Sequence, residues 1–149
     1  MQHAAAIVRL EVGEARAGRE LFVKQGCVAC HTVSADEPPK GPFLGGITTR
    51  YSRSELCESI LKPSAKIAQG FETQWFSTQD GEEVEGFIVR EAGDEVEVRN
   101  IQGITTTLPK KMIKERGKRE PSVMPPGLAD KLTPVQLASI LAYLESLKP

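Results

Sequence analysis

The sequence predicts a mainly α-helical fold with a small antiparallel β-meander or partial barrel inserted into it, so the overall class is α+β. Helical periodicity marks segments near both ends of the chain, and a change to a period of two between Thr73 and Leu108 indicates strands. The strands would lie between the second helix and a loop around Met124. We expect residues 1–149 to form a single domain that contains residues 72–109 as a β-strand insertion.

The first two helices are predicted from the residues at their ends. Residues 13–25 have helical periodicity and stop at Gly26, because glycine is the residue best suited to end a helix. The second helix begins with a capping box formed by Ser52 and Glu55, and it runs to about Leu61, just before a proline. The segment that joins the two helices contains several glycines and prolines and is predicted to be a loop.

Four short strands are predicted after the second helix. Residues 95–99 alternate between charged and apolar side chains, as a half-buried strand does. Glycine-containing dipeptides at Gly81, Gly93 and Gly103 are spaced as turns between successive strands. The strands are therefore expected at about 73–79, 83–91, 95–100 and 104–108.

Residues 110–120 are predicted to be a charged connection. Two interpretations of its basic residues stay open: a solvated linker, or a docking surface for an acidic redox partner whose binding would weaken with salt. The basic residues are Lys110, Lys111, Lys114, Arg116, Lys118 and Arg119.

The last helix has the clearest sequence signals. Thr133 is the predicted N-cap, Pro134 occupies the first helical position and Gln136 completes a capping box. Leucines at three- and four-residue spacings then form one apolar stripe, which predicts a helix buried along one face.

The five residues Cys27-Val28-Ala29-Cys30-His31 have the C-x-x-C-H spacing that attaches a c-type haem. The two thiols would form thioethers with the two vinyl groups of the porphyrin, and His31 would bind the iron as the proximal ligand. A zinc site needs about four ligands, usually as two matched pairs, and the chain has only one other cysteine, Cys57, and one other histidine, His3. A thioredoxin-like redox pair would follow a strand, whereas the preceding residues are predicted to be helical. The sequence therefore predicts one covalent haem c with its iron.

Apart from the predicted strands, the order of helices and loops resembles a class I cytochrome c over residues 13–67 and 121–148. Gly18-x-x-x-Phe22 is similar to the motif at which the terminal helices of that family approach each other closely. The resemblance implies a cytochrome c fold in which the first and last helices pack together. We expect Phe22 and Tyr143 at this contact rather than in redox chemistry.

The resemblance also implies a set of haem contacts. Gly41-Pro42-x-Leu44 is similar to the loop whose proline carbonyl accepts a hydrogen bond from the proximal histidine. Met124 stands shortly before the last helix, where the family has its sixth ligand, and a thioether ligand raises the reduction potential. The alternatives are that Pro42 is an ordinary loop proline and that Met124 only fills a core gap. Met112 is the rival ligand.

The expected site is therefore a binding site with no catalytic residue. Its iron ligands are His31 and Met124, and its cofactor-binding residues are Cys27, Cys30, His31, Pro42 and Met124. Cys57, on the second helix, is interpreted as a small buried core residue, with an intermolecular disulfide or a reactive thiol as the alternative.

A closer resemblance covers nearly the whole chain. Three short motifs, in this order, are similar to the haem-binding domain of planctomycete and verrucomicrobial multidomain proteins: Lys62-Pro63-Ser64-x-x-Ile67, Asp80-Gly81 and Met124-Pro125-x-Gly127-Leu128. Because those proteins also contain dehydrogenase-like modules, the resemblance implies a dehydrogenase domain or partner as the electron donor.

These observations predict electron transfer by haem c and no enzymatic activity. The alternative function is a haem-based sensor or gas-binding module with a labile sixth ligand. The expected partner is a redox protein or a fused dehydrogenase domain, and a homodimer is left open. The net charge of −1 predicts no nucleic-acid partner, and no apolar run approaches the ~20 residues of a membrane span. The family implies a periplasmic or otherwise extracytoplasmic location, with a signal sequence that this chain does not carry.

Overall fold

The computed structural model describes residues 12–37 and 41–149. They form two compact units: the first contains the described residues up to Pro63 together with Pro126–Pro149, and the second is Ser64–Pro125. The first unit is helical and the second contains an antiparallel sheet, so the predicted α+β class is confirmed.

The described residues of the first unit form three α-helices, and all three were predicted. They are α1 (Ala15–Lys24), α2 (Arg53–Leu61) and α3 (Pro134–Ser146). The buried hydrophobic residues of these helices make one core together with Ile47 and Ala129, which lie outside them. The helical members are Phe22, Leu56, Cys57, Leu137, Ala138, Ile140, Leu141 and Leu144. Cys57 is fully buried in this core, which confirms its interpretation as a core residue and is incompatible with a disulfide to another molecule.

Both predicted capping boxes are present. The Ser52 hydroxyl accepts a hydrogen bond from the Glu55 N–H at 3.2 Å, and the Glu55 carboxylate accepts one from the Ser52 N–H at 2.7 Å. Thr133 and Gln136 make the equivalent pair of bonds at the start of α3, at 3.2 and 2.9 Å. Each box satisfies N–H groups that a helix start otherwise leaves without a partner.

Helices α1 and α3 touch along their backbones at Gly18. A Cβ atom at this position would collide with the carbonyl group of Ser139 and would lie 2.9 Å from the backbone N of Ile140. One turn further on, the rings of Phe22 and Tyr143 meet edge to face with their centroids 5.5 Å apart. The predicted contact between the first and last helices is therefore confirmed.

The second unit contains a five-stranded antiparallel sheet with the strand order β4-β3-β2-β1-β5. The first four strands follow one another as neighbours, and their bounds agree with the predicted ones to within one residue. The strands are β1 (Gln74–Thr78), β2 (Glu83–Ala92), β3 (Glu95–Arg99), β4 (Thr105–Pro109) and β5 (Ile113–Lys118).

The prediction that residues 110–120 form only a charged connection is wrong. Lys110–Met112 form a short 3₁₀ turn, and β5 then pairs with β1 at the edge of the sheet, beyond the predicted insertion of residues 72–109. The Arg116 guanidinium lies 4.9 Å from the ring centroid of Phe76, a fully buried residue of β1. The Arg116 side chain therefore covers an aromatic ring of β1, because an arginine can stack on a ring and stay hydrated.

Candidate haem site

The C-x-x-C-H segment is a tight turn at the end of α1. Gly26 has a φ of 82°, a left-handed conformation that ends the helix and that glycine adopts without strain. Cys27–Ala29 then form one 3₁₀ turn, in which the N–H of His31 donates to the Cys27 carbonyl at 3.0 Å. The turn therefore fixes both thiols and the imidazole to the end of one helix.

The environment of the Cys27 thiol differs from that of a reactive redox cysteine. Cys27 and Cys30 are both partly buried and are not joined by a disulfide. Burial raises the pKa of the Cys27 thiol, although a backbone hydrogen bond opposes the effect. Reactive redox cysteines have lowered pKa values, so this environment does not match a thioredoxin-like site.

His31 is oriented by a carbonyl group. Its Nδ1 atom lies 2.9 Å from the carbonyl oxygen of Pro42. Because a carbonyl can only accept, Nδ1 must carry the proton in this contact. The other ring nitrogen, Nε2, is then the one with the lone pair for a metal, and the hydrogen bond raises its basicity. This contact is the one that the resemblance implied for Pro42.

The loop around Pro42 is held beside His31 by backbone contacts. Thr32, which is 3% exposed, forms a parallel bridge with Phe43. The N–H of Leu44 donates to the Thr32 carbonyl at 2.9 Å. Leu44 belongs to the Gly41-Pro42-x-Leu44 motif, whereas Thr32 and Phe43 were not singled out from the sequence. The only signal for these two residues was their position beside or within the two motifs.

Met124 lies in the second unit, in a loop without regular secondary structure, and its side chain is half-buried. Its N–H donates to the Ser122 hydroxyl at 3.1 Å, and the N–H of Ser122 donates to the Ser64 hydroxyl at 2.9 Å. The Thr73 hydroxyl donates to the Pro121 carbonyl at 2.6 Å. The first unit contains Cys27, Cys30, His31 and Pro42, whereas the pairing of Met124 with His31 stays a prediction.

Charge on the second unit is only partly neutralised. Arg116 pairs with Glu91 at 2.9 Å and Arg119 pairs with Glu85 at 3.2 Å. The neighbouring lysines are exposed and make no ion pair with any residue that the structure describes: Lys110, Lys111, Lys114 and Lys118. These lysines are therefore solvated residues of a turn and a strand rather than of a linker, and the docking interpretation stays a prediction.

The donor groups of the site fit a haem better than a bare metal ion. Within residues 12–37 and 41–149, no three side chains of His, Cys, Asp or Glu are grouped as a metal site. Two thiols and one oriented imidazole on a single turn are the groups that a c-type haem requires. Of the zinc, redox-pair and haem interpretations of this turn, haem attachment is therefore the one that its residues fit.

One comparison with known proteins identifies the family. The chain matches the family model described as Cytochrome c over residues 15–92, which is more than half of its length and includes the C-x-x-C-H turn and Pro42. The chain therefore belongs to the cytochrome c family, whose members bind covalent haem c and carry electrons. No curated protein matches the chain. Among the described residues, no helix is both long enough and apolar enough to cross a membrane.

Proposed function

We propose that this cytochrome c is a one-electron carrier whose haem iron is bound by His31 and Met124. The observation that carries the proposal is the 2.9 Å contact between His31 Nδ1 and the Pro42 carbonyl. It leaves the imidazole in the tautomer that an iron ligand needs, and it restrains the ring against rotation. Restrained ligands change little between two oxidation states, which favours fast electron transfer.

Each residue of the site has a distinct part in this proposal. Cys27 and Cys30 hold the haem covalently, and His31 supplies the proximal nitrogen. Met124 supplies a neutral, soft sulfur that favours the reduced state and so raises the potential. The haem, when bound, supplies the Fe(III)/Fe(II) couple, while the apolar core of α1 and α3 limits the access of water.

Two features support Met124 as the sulfur ligand over Met112. Met124 belongs to an irregular loop with its own hydrogen-bond anchors, which can hold a side chain towards a cofactor. Met112 ends a 3₁₀ turn beside β5, and its carbonyl accepts a hydrogen bond from the N–H of Gln79 at 2.8 Å. Its position is therefore set by the sheet.

We further propose that the whole chain works as one haem domain and receives electrons from a dehydrogenase domain or partner. That proposal, like a periplasmic location, rests on the resemblance to multidomain planctomycete and verrucomicrobial proteins. A homodimer is a further arrangement that sedimentation of the matured protein would detect.

Optical spectra of the matured protein, oxidised and reduced, with and without CO, test the proposed function. A carrier with both ligands in place gives low-spin c-type spectra that CO does not change. A high-spin spectrum, or CO binding to the reduced protein at neutral pH, would contradict the carrier proposal. That result would favour the alternative of a haem-based sensor or gas-binding module with a labile sixth ligand.

A further inference from the structure

The Pro42 loop is anchored on a second side by the residues that follow α3. Two adjacent glycines of the loop, Gly45 and Gly46, are both buried. The N–H of Gly46 donates to the Leu147 carbonyl at 3.2 Å. We call these two glycines and Leu147–Pro149 the tail joint.

The tail joint has no room for a side chain on either glycine. A Cβ atom on Gly45 would collide with the Lys148 carbonyl and with the ring of Phe43. A Cβ atom on Gly46 would lie 2.9 and 3.2 Å from two ring carbons of Pro149. The chain after α3 therefore lies directly against the loop backbone.

The same loop carries the carbonyl that orients His31. Pro42 is three residues from Gly45, and Phe43 lies between them while its ring touches the Gly45 position. Phe43 is also the residue bridged to Thr32. A shift of the glycines away from the tail would move Phe43 and, with it, the Pro42 carbonyl. Because hydrogen bonds weaken quickly as their geometry departs from the optimum, such a shift would weaken the contact with His31.

We infer that the tail joint sets the reduction potential by holding the Pro42 carbonyl against His31 Nδ1. The residues of the tail joint act by positioning the Pro42 carbonyl. The inference rests on the proposed ligation of iron by His31. A hydrogen bond at Nδ1 makes the imidazole a stronger donor and so stabilises Fe(III), which lowers the potential. Loosening the joint should therefore raise the potential. Loss of one neutral hydrogen bond changes an equilibrium constant about fivefold, or about 40 mV for a one-electron couple.

The test substitutes Gly46→Ala in the full holoprotein and uses Gly93→Ala as the matched control. Both glycines have left-handed backbones, with φ of 67° and 57°, so both substitutions carry similar backbone strain. Only Gly46 faces the tail, since a Cβ on Gly93 would meet no atom within 4 Å. Gly45→Ala is a second variant, because its new methyl group would also meet the residues that follow α3. Gly45 does not have a left-handed backbone, so this substitution carries no backbone strain of that kind.

Two readouts separate positioning from a general loss of stability. The first is the reduction potential, and the second is the rate at which the His31 Nδ1 proton exchanges with solvent, followed by NMR. We expect both to rise in Gly46→Ala and in Gly45→Ala, and neither to change in Gly93→Ala. Adding Pro149→Gly to Gly46→Ala removes the ring that the new methyl group meets, and it should restore both values.

The inference is overturned if the potential and the exchange rate of Gly46→Ala equal those of Gly93→Ala, or if Pro149→Gly restores neither. Should one glycine variant fail to fold, the other variant and Pro149→Gly alone still decide the question. A failure of the proposed function is recognised separately in the wild-type protein, where the spectrum and the His31 resonances would show no imidazole bound to iron.

Discussion

Replacement of Gly18 by alanine is the most informative perturbation of the fold, because two opposite effects compete at one position. Alanine favours a helix over glycine by about 1 kcal/mol, so an isolated α1 would gain stability. In the folded protein, however, the added Cβ collides with the Ser139 carbonyl and lies 2.9 Å from the Ile140 nitrogen. Neither atom belongs to a flexible side chain, so the two helices must move apart.

The cost of this movement exceeds the gain in helix propensity. Overpacking a close contact costs about 1–3 kcal/mol. Separation of the helices also weakens the edge-to-face contact of Phe22 and Tyr143, which contributes about 0.5–1.5 kcal/mol. It weakens as well the 3.1 Å hydrogen bond that the Glu14 N–H donates to the Ser139 hydroxyl. After the propensity gain is subtracted, we expect a net loss of about 1–3 kcal/mol, or roughly 2–12 °C in Tm for a chain of this size.

Guanidinium and thermal unfolding of the holoprotein measure the effect. The control pair, Arg19→Gly and Arg19→Ala, compares glycine with alanine at an exposed position of the same helix. There the alanine variant should be the more stable of the two. If Gly18→Ala were also more stable than the wild-type protein, the close approach of α1 and α3 would be refuted.

Three further predictions follow from the site and its supports. Met124→Ala should leave the haem attached, but it should lower the reduction potential and abolish the sulfur-to-iron charge-transfer band. The control Met112→Ala should change neither quantity. The reverse pattern would make Met112 the ligand. Thr133→Ala should cost about 1 kcal/mol in unfolding experiments, because it removes the N-cap of α3, and an unchanged midpoint would contradict the capping role. Arg116→Ala should lower the free energy of unfolding by about 1 kcal/mol, because it loses the contacts with Phe76 and Glu91. The control Lys114→Ala should change it by no more than about 0.5 kcal/mol. Equal losses in the two variants would refute a stabilising role for the stacked arginine.

The helices were predictable because their signals are local. The capping boxes at Ser52 and Thr133 and the glycine after α1 each act within about four residues, so no knowledge of tertiary contacts is needed. The first four strands were predictable for a similar reason, since glycines mark the turns between neighbouring strands.

Strand β5 was missed because nothing local marks it. Lysine, glutamate and glycine are all depleted in strands, and these residues make up most of Ile113–Lys118. The strand is specified instead by its pairing with β1, in which Thr78 is opposite Ile113 and Gln74 is opposite Lys118. Lysines on an edge strand also discourage pairing with other chains, which accounts for a sequence that looks like a linker.

In the candidate site, too, the features marked by local sequence were predictable and those that depend on tertiary contacts were not. The thiols and His31 follow from one pentapeptide, and the Pro42 contact followed from a resemblance to a known loop. The tail joint could not be foreseen, because about a hundred residues separate Gly46 from Leu147 and neither segment has a motif. Only the folded chain brings their backbones together.

Iron K-edge X-ray absorption of the matured protein in both oxidation states measures the proposed iron ligands themselves. Ligation by His31 and Met124 predicts one sulfur and five nitrogen scatterers around the iron in Fe(III) and in Fe(II), and loss of the sulfur in Met124→Ala. A first shell of nitrogen and oxygen alone, or a five-coordinate reduced iron, would contradict the ligation by His31 and Met124 and the proposal of electron transfer built on it.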